Sequence, residues 1–143
     1  FFFGGLFVVV GALVQTGVIA TVAEFVVENV HSEGEAILII AWFSAIASAI
    51  VDNIPLTATL IPLIQDMSGA MNIYPLWWAL SLGACLGGNG TVIGASANVV
   101  VLGIAARNGH TISFVEFLKV GMLVLFVTVA IGSAFLWLNF VIL

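Results

Sequence analysis

The chain has 143 residues, 63% hydrophobic and 6% charged, with a mean hydropathy of +1.33 and a net charge of −5. Two basic and seven acidic residues cannot clothe a soluble domain, in which about a quarter of residues are charged, so the apolar surface belongs in lipid. The thin negative charge offers no basic patch to nucleic acid, and the single Cys85 excludes an intrachain disulfide.

Apolar sequence begins at Phe1 without a charged leader, so no signal peptide is expected, and the chain reads as a fragment. Residues 1–20 form the first predicted transmembrane helix, because the charge-free run from Phe1 to Ala23 reaches the ~20 residues a bilayer core requires. Residues 21–35 follow as an interfacial arm. There Val22, Phe25, Val26 and Val30 recur at helical spacing opposite Glu24 and Glu28, although a solvated helix end and loop would read similarly. His31 and His110 fall in loops and read as solvated residues.

Residues 36–66 contain two apolar arms, Ala36 to Val51 and Ile54 to Ile64, each short for a span. They meet at Asp52-Asn53-Ile54-Pro55. Proline lacks an N–H and disfavours helix in the residue before it, yet suits the first turn of a new helix with Asp52 or Asn53 ahead as cap. The predicted element is a re-entrant helical hairpin whose tip stops at mid-bilayer and is buried in protein or lines a cavity. One long Pro-kinked helix from Ala36 to Ile64 is the alternative, but it leaves the carboxylate of Asp52 without a purpose.

Residues 75–107 are predicted as a broken transmembrane helix: helix from Pro75 to Leu86, unwound chain from Gly87 to Ala95, and a half-helix from Ser96 to Arg107. The break is "GACLGGNGTVIGASANVVV", where glycines mix with Asn89, Thr91, Ser96 and Asn98. It has no Gly-Lys-Ser/Thr ending and misses the dinucleotide spacing, so a nucleotide site is excluded. Close helix packing through Gly83-x-x-x-Gly87 and Gly90-x-x-x-Gly94 is the plainer reading, yet it does not account for the asparagines and hydroxyls. Residues 114–143 complete the set as a transmembrane helix. Arg107 and Lys119 flank one loop, which the positive-inside rule assigns to the cytoplasm; the hairpin then enters from outside.

A reversal and an unwound helix at one depth are what secondary transporters use at the midplane. Helix N-termini near Pro55 and Ser96 offer free N–H groups, while loop carbonyls with Asp52, Asn53, Asn89 and Asn98 offer oxygen to Na⁺, or a protonatable group to H⁺. No His/Cys/Asp cluster with metal-ligand spacing exists, and no cofactor beyond a coupling ion is expected.

"DNIPLTATLIPLI", then "LGACLGGNGTVIGASANVVVLGIA", then "SFVEFLKVG" resembles the ion-transporter superfamily of arsenite permeases, NhaD-type Na⁺/H⁺ antiporters and the melanosomal P protein branch, and more distantly dicarboxylate and citrate symporters. The resemblance implies an all-α membrane fold and the C-terminal half of an inverted repeat that works by an elevator-like movement. It implies Asp52, Asn53 and Thr57 at the hairpin tip and Asn89, Gly90, Thr91, Ser96 and Asn98 in the broken-helix loop, as substrate- and ion-binding residues. Dicarboxylate symporters carry Ser-Asn-Thr at the tip, whereas this chain has Asp52-Asn53-Ile54, which disfavours a dianion unless it is protonated or paired with a cation.

The function expected is secondary transport of a small inorganic ion or solute, of arsenite, anion or Na⁺/H⁺ exchange type, coupled to H⁺ or Na⁺, in the bacterial cytoplasmic membrane. Alternatives are a channel-like ion pore and a dicarboxylate or citrate symporter. An enzyme is not expected, since an intramembrane protease wants two aspartates at depth and Asp66 lies at the hairpin's outer end. Expected partners are membrane lipid, the N-terminal half of the same transporter, the transported ion or solute, and a second copy in a homodimer.

Overall fold

The computed structural model describes residues 32–142, with isolated positions before them between 5 and 30. The expected first span, and all but the last residues of the interfacial arm, lie outside the described residues. Among the described residues the fold is all-helical.

Helix α1 (Glu33–Ile50) starts where Ser32 accepts a hydrogen bond from the Glu35 N–H at 3.2 Å, and Glu33 and Glu35 set negative charge against the positive end of its dipole. It ends at Val51, which is extended at φ −117°, ψ 137°. Helix α2 (Asn53–Asp66) begins two residues later and closes in a 3₁₀ turn, Met67–Gly69. Helix α3 (Tyr74–Gly87) has Pro75 in its first turn, where a missing N–H costs nothing. Helix α4 (Ser96–Arg107) follows an irregular segment, and helix α5 (Phe114–Trp137) opens on a capping box between Ser113 and Glu116. A π turn, Leu138–Ile142, extends α5. The stretch Phe114–Ile142, 29 residues, is the one described helix long and apolar enough to cross a membrane.

Helices α1 and α3 form the centre of the packing, and small residues make their contact. A Cβ on Gly83 would strike the Ala41 carbonyl and the Ser44 hydroxyl; one on Gly87 would lie 2.6 Å from the Cα of Ala45. The facing strip Ala41, Ser44, Ala45, Ser48 and Ala49 of α1 is buried. Backbones this close gain dispersion contacts and direct bonds, as between helices in lipid. The Ser48 hydroxyl donates to the Ala84 carbonyl at 2.6 Å.

The main core joins Ala36, Ile37, Ile40 and Ala41 of α1 with Leu60, Leu63 and Ile64 of α2, Leu76, Ala79 and Leu80 of α3, and Leu136 of α5. A single kinked helix from Ala36 to Ile64 would hold its two ends about 40 Å apart at 1.5 Å per residue. Both ends instead share one core, so the chain reverses at residues 51 and 52. A second cluster sets Leu125 and Val129 of α5 on Ala45 and Ala49, with Trp42 and Phe126 ring centroids 5.9 Å apart. Helix α4 has no buried residue.

Candidate functional site

The reversal between α1 and α2 and the irregular segment before α4 meet at Asp52. One carboxylate oxygen accepts the Ile54 N–H at 3.1 Å, capping α2 in the local manner. The other accepts the Ser96 N–H at 3.0 Å, from a residue 44 positions away. Ala95, the residue preceding α4, has no side-chain oxygen to offer, so Asp52 serves as cap to both helices. Asp52, not Asn53, is the local cap of α2; Asn53 is its first helical residue.

The segment between Gly87 and Ser96 is held by side chains that satisfy its backbone. The Asn98 amide donates to the Gly88 carbonyl at 2.8 Å and the Thr91 carbonyl at 3.0 Å. The Thr91 hydroxyl donates to the Ala49 carbonyl and accepts the Gly94 N–H at 3.0 Å. Irregular backbone survives at membrane depth only when its polar groups find such partners. Gly90 and Gly94 let this segment lie directly on α1: a Cβ at Gly90 would meet Leu125 at 2.6 Å and Ala49 at 3.0 Å, and one at Gly94 would meet the Ser48 carbonyl at 2.9 Å. Gly121 of α5 faces the carbonyls of Asn89 and Gly90, which a Cβ would approach to 2.5 and 2.8 Å.

The expected site residues therefore fall into three groups. Asp52 is joined to the backbone of Ser96, while Thr91 and Asn98 are bonded within the irregular segment or to α1, with Gly90 packed beside them. Asn53 and Thr57 line a groove of about 330 Å³ between α2 and α3, where Ser81 and Cys85 are the polar residues opposite. Asn89 lines a different groove, about 660 Å³, against Thr111, Glu116 and the start of α5. Among the described residues the side chains of Asn53, Thr57 and Asn89 make no hydrogen bond, which leaves their polar atoms free for a solute or ion. The carboxylate of Asp52 keeps further lone pairs, since each oxygen accepts one N–H and has capacity for another partner. Among the described residues no group of three or more His, Cys, Asp or Glu side chains converges.

Ser48, Ser81, Cys85 and Gly121 join this region in addition to the expected residues. Ser48 carried a readable signal, because Ala41, Ser44, Ala45, Ser48 and Ala49 repeat small residues at helical spacing in the same manner as Gly83 and Gly87. Ser81 and Cys85 are one turn apart on α3, but only the placement of α2 brings them opposite Asn53 and Thr57.

Apolar helices, a membrane-length α5 and polar groups at two backbone breaks fit an integral membrane protein, and the comparisons with known proteins give its class. The citrate transporter family matches residues 1–83, more than half of the chain. An uncharacterized transporter of Mycobacterium tuberculosis is 47% identical over 147 residues, covering 99% of this chain and 34% of the relative. The human P protein is 43% identical over 145 residues, covering 94% of the chain and 17% of that protein. A 46 kDa membrane protein of Mycobacterium leprae is 40% identical over 149 residues, covering 99% and 34%. No solved structure gives a significant match. The chain belongs to the citrate transporter family, and so to membrane transport proteins rather than enzymes. It spans about a third of the length of the mycobacterial relatives it matches.

Proposed function

We propose that the chain is the C-terminal half of a secondary active transporter of the cytoplasmic membrane, moving a small inorganic ion or solute coupled to a gradient of Na⁺ or H⁺. The observation that carries this reading is the pair of hydrogen bonds accepted by the Asp52 carboxylate, from the Ile54 and Ser96 N–H groups, which gathers a chain reversal and an irregular segment at one point. Two backbone interruptions beside a carboxylate are difficult to reconcile with a passive structural role in lipid. Helix α1, 18 residues, measures about 27 Å, and α2, 14 residues, about 21 Å. At this length α2 falls well short of a ~30 Å hydrocarbon core, which supports a re-entrant hairpin with its tip inside the bilayer.

In this reading α3 and α4 are the two parts of a broken transmembrane helix, and the Arg107 to Lys119 loop is cytoplasmic. Asn53 and Thr57 contact the solute from the tip, and Asn89, with the loop carbonyls, contacts it from the break. The coupling ion takes the spare lone pairs of Asp52. Thr91, Asn98, Gly90 and the backbone of Ser96 hold the break in shape. The N-terminal half of the parent supplies the opposing hairpin and break, and an elevator-like movement of the paired elements carries the site across.

A citrate symporter is the second reading, favoured by the family description. Against it, the two basic residues of the chain, Arg107 and Lys119, stand at the far end of α4 and in α5, so this half offers no cation beside Asp52 for a polyanion. Proteoliposomes of the full-length parent, given arsenite, Na⁺, chloride or citrate under imposed Na⁺ and pH gradients, test both. Accumulation of an inorganic species above equilibrium is expected; accumulation of citrate alone would favour the second reading. Flux that only dissipates gradients would indicate a pore.

A further inference from the structure

We propose that Asp52 is a positioning residue: its carboxylate fastens the first turn of α4 to the reversal between α1 and α2, so that these parts move as one body. The consequence for transport rests on the function proposed above; the tie itself does not. Four observations carry it. Helix α4 has no side-chain cap of its own, because Ala95 occupies the cap position. No residue of α4 is buried, so apolar packing does not fix its direction. The bonds from Asn98 hold α4 to Gly88 and Thr91, which belong to its own preceding segment. The bond from the Ser96 N–H to Asp52 is the described hydrogen bond that reaches α4 from the α2 side.

A carboxylate suits this role better than a carboxamide. It presents acceptors on both oxygens, whereas an asparagine would turn its NH₂ group toward one of the two N–H donors. Position 52 thus uses the one short side chain able to cap two helices at once. The tie also makes the tip report on α4: whatever draws the Asp52 oxygens toward a bound ion alters the bond that orients the helix.

The test separates tie from ligand by leaving the carboxylate in place. In the full-length parent, Ser96→Pro deletes the donor N–H together with the hydroxyl, at a first helical position where proline is well accepted. The preceding Ala95 is already extended, at φ −147°, ψ 136°, as a residue before proline requires. Ser96→Ala keeps the N–H and serves as the control. Amide exchange from Asn98 to Val101 in bilayer discs is expected to rise roughly fivefold in Ser96→Pro, the scale of one lost cap, and to stay at the parental rate in Ser96→Ala. Asp52→Asn added to Ser96→Pro is expected to raise that exchange no further. The maximal transport rate falls in Ser96→Pro while transport keeps its dependence on the coupling ion, because the ligand oxygens remain.

Parental exchange in Ser96→Pro overturns the tie, and raised exchange with parental transport overturns its role in positioning. Should Ser96→Pro fail to insert, Asp52→Ala, which leaves no acceptor for the Ser96 N–H, compared with Ser96→Ala decides by the same exchange reading. If the parent moves no solute offered, exchange still decides the tie, and the transport reading fails on its own assay.

Discussion

At the scale of single residues, function and support are divided among neighbours of similar chemistry. Asn53 and Asp52 are adjacent, yet Asp52 holds backbone and Asn53 faces a groove. Asn53→Ala is therefore expected to leave the thermal midpoint of the full-length parent within about 0.5 kcal/mol of stability, as for a side chain without partners. Its apparent affinity for solute should fall, measured as a rise in KM in proteoliposomes. A large loss of stability with unchanged KM would return Asn53 to a structural role. Glycines divide in the same way. Gly83→Ala drives a methyl into the carbonyl of Ala41 and the hydroxyl of Ser44, and is expected to cost about 1–3 kcal/mol of stability in denaturation of the detergent-solubilised parent. Gly132→Ala meets only side-chain methyl groups of Leu86 and Leu82, at 3.4 and 3.8 Å, and should be neutral or slightly stabilising.

At the scale of helices, much was legible because local chemistry sets it. The glycine run ends at Gly94 and a largely apolar sequence then continues to Arg107, close to where α4 begins and ends. Pro55 and Asp52 mark the start of α2 for reasons contained within four residues. Ser32-x-x-Glu35 was an available signature for the start of α1 that the expected boundary at residue 36 did not use. What composition and spacing could not reveal is partnership over distance. Nothing near Ser96 indicates that its cap lies 44 residues earlier, and nothing near Gly121 indicates that loop carbonyls rest on it. The element prediction is topological. Cysteines replacing Glu33 and Asp66, one at a time in a Cys85→Ala background of the parent, should both react with an impermeant thiol reagent from the same side of the membrane. Labelling from opposite faces would make residues 33 to 66 a crossing.

For the whole molecule, the telling contrast is between α1 with α3, bound face to face through small residues, and α4, whose apolar side chains Val99, Val100, Val101 and Ile104 are all exposed. A helix so clothed needs lipid or the remainder of the parent around it, consistent with a chain that covers about a third of its mycobacterial relatives. A cysteine replacing Val100, 61% exposed here, is expected to resist water-soluble thiol reagents in the bilayer-embedded parent. Rapid labelling would mean instead that α4 borders water.

The fastening of α4 at its first turn has a mechanical meaning. With 12 residues the helix is an arm about 18 Å long, pivoted at Ser96 and ending at Arg107. A turn of roughly 10° about that pivot would swing the Arg107 end through about 3 Å. A stiff helix on a short pivot thus turns a small rotation at its first turn into a larger displacement of its charged terminus.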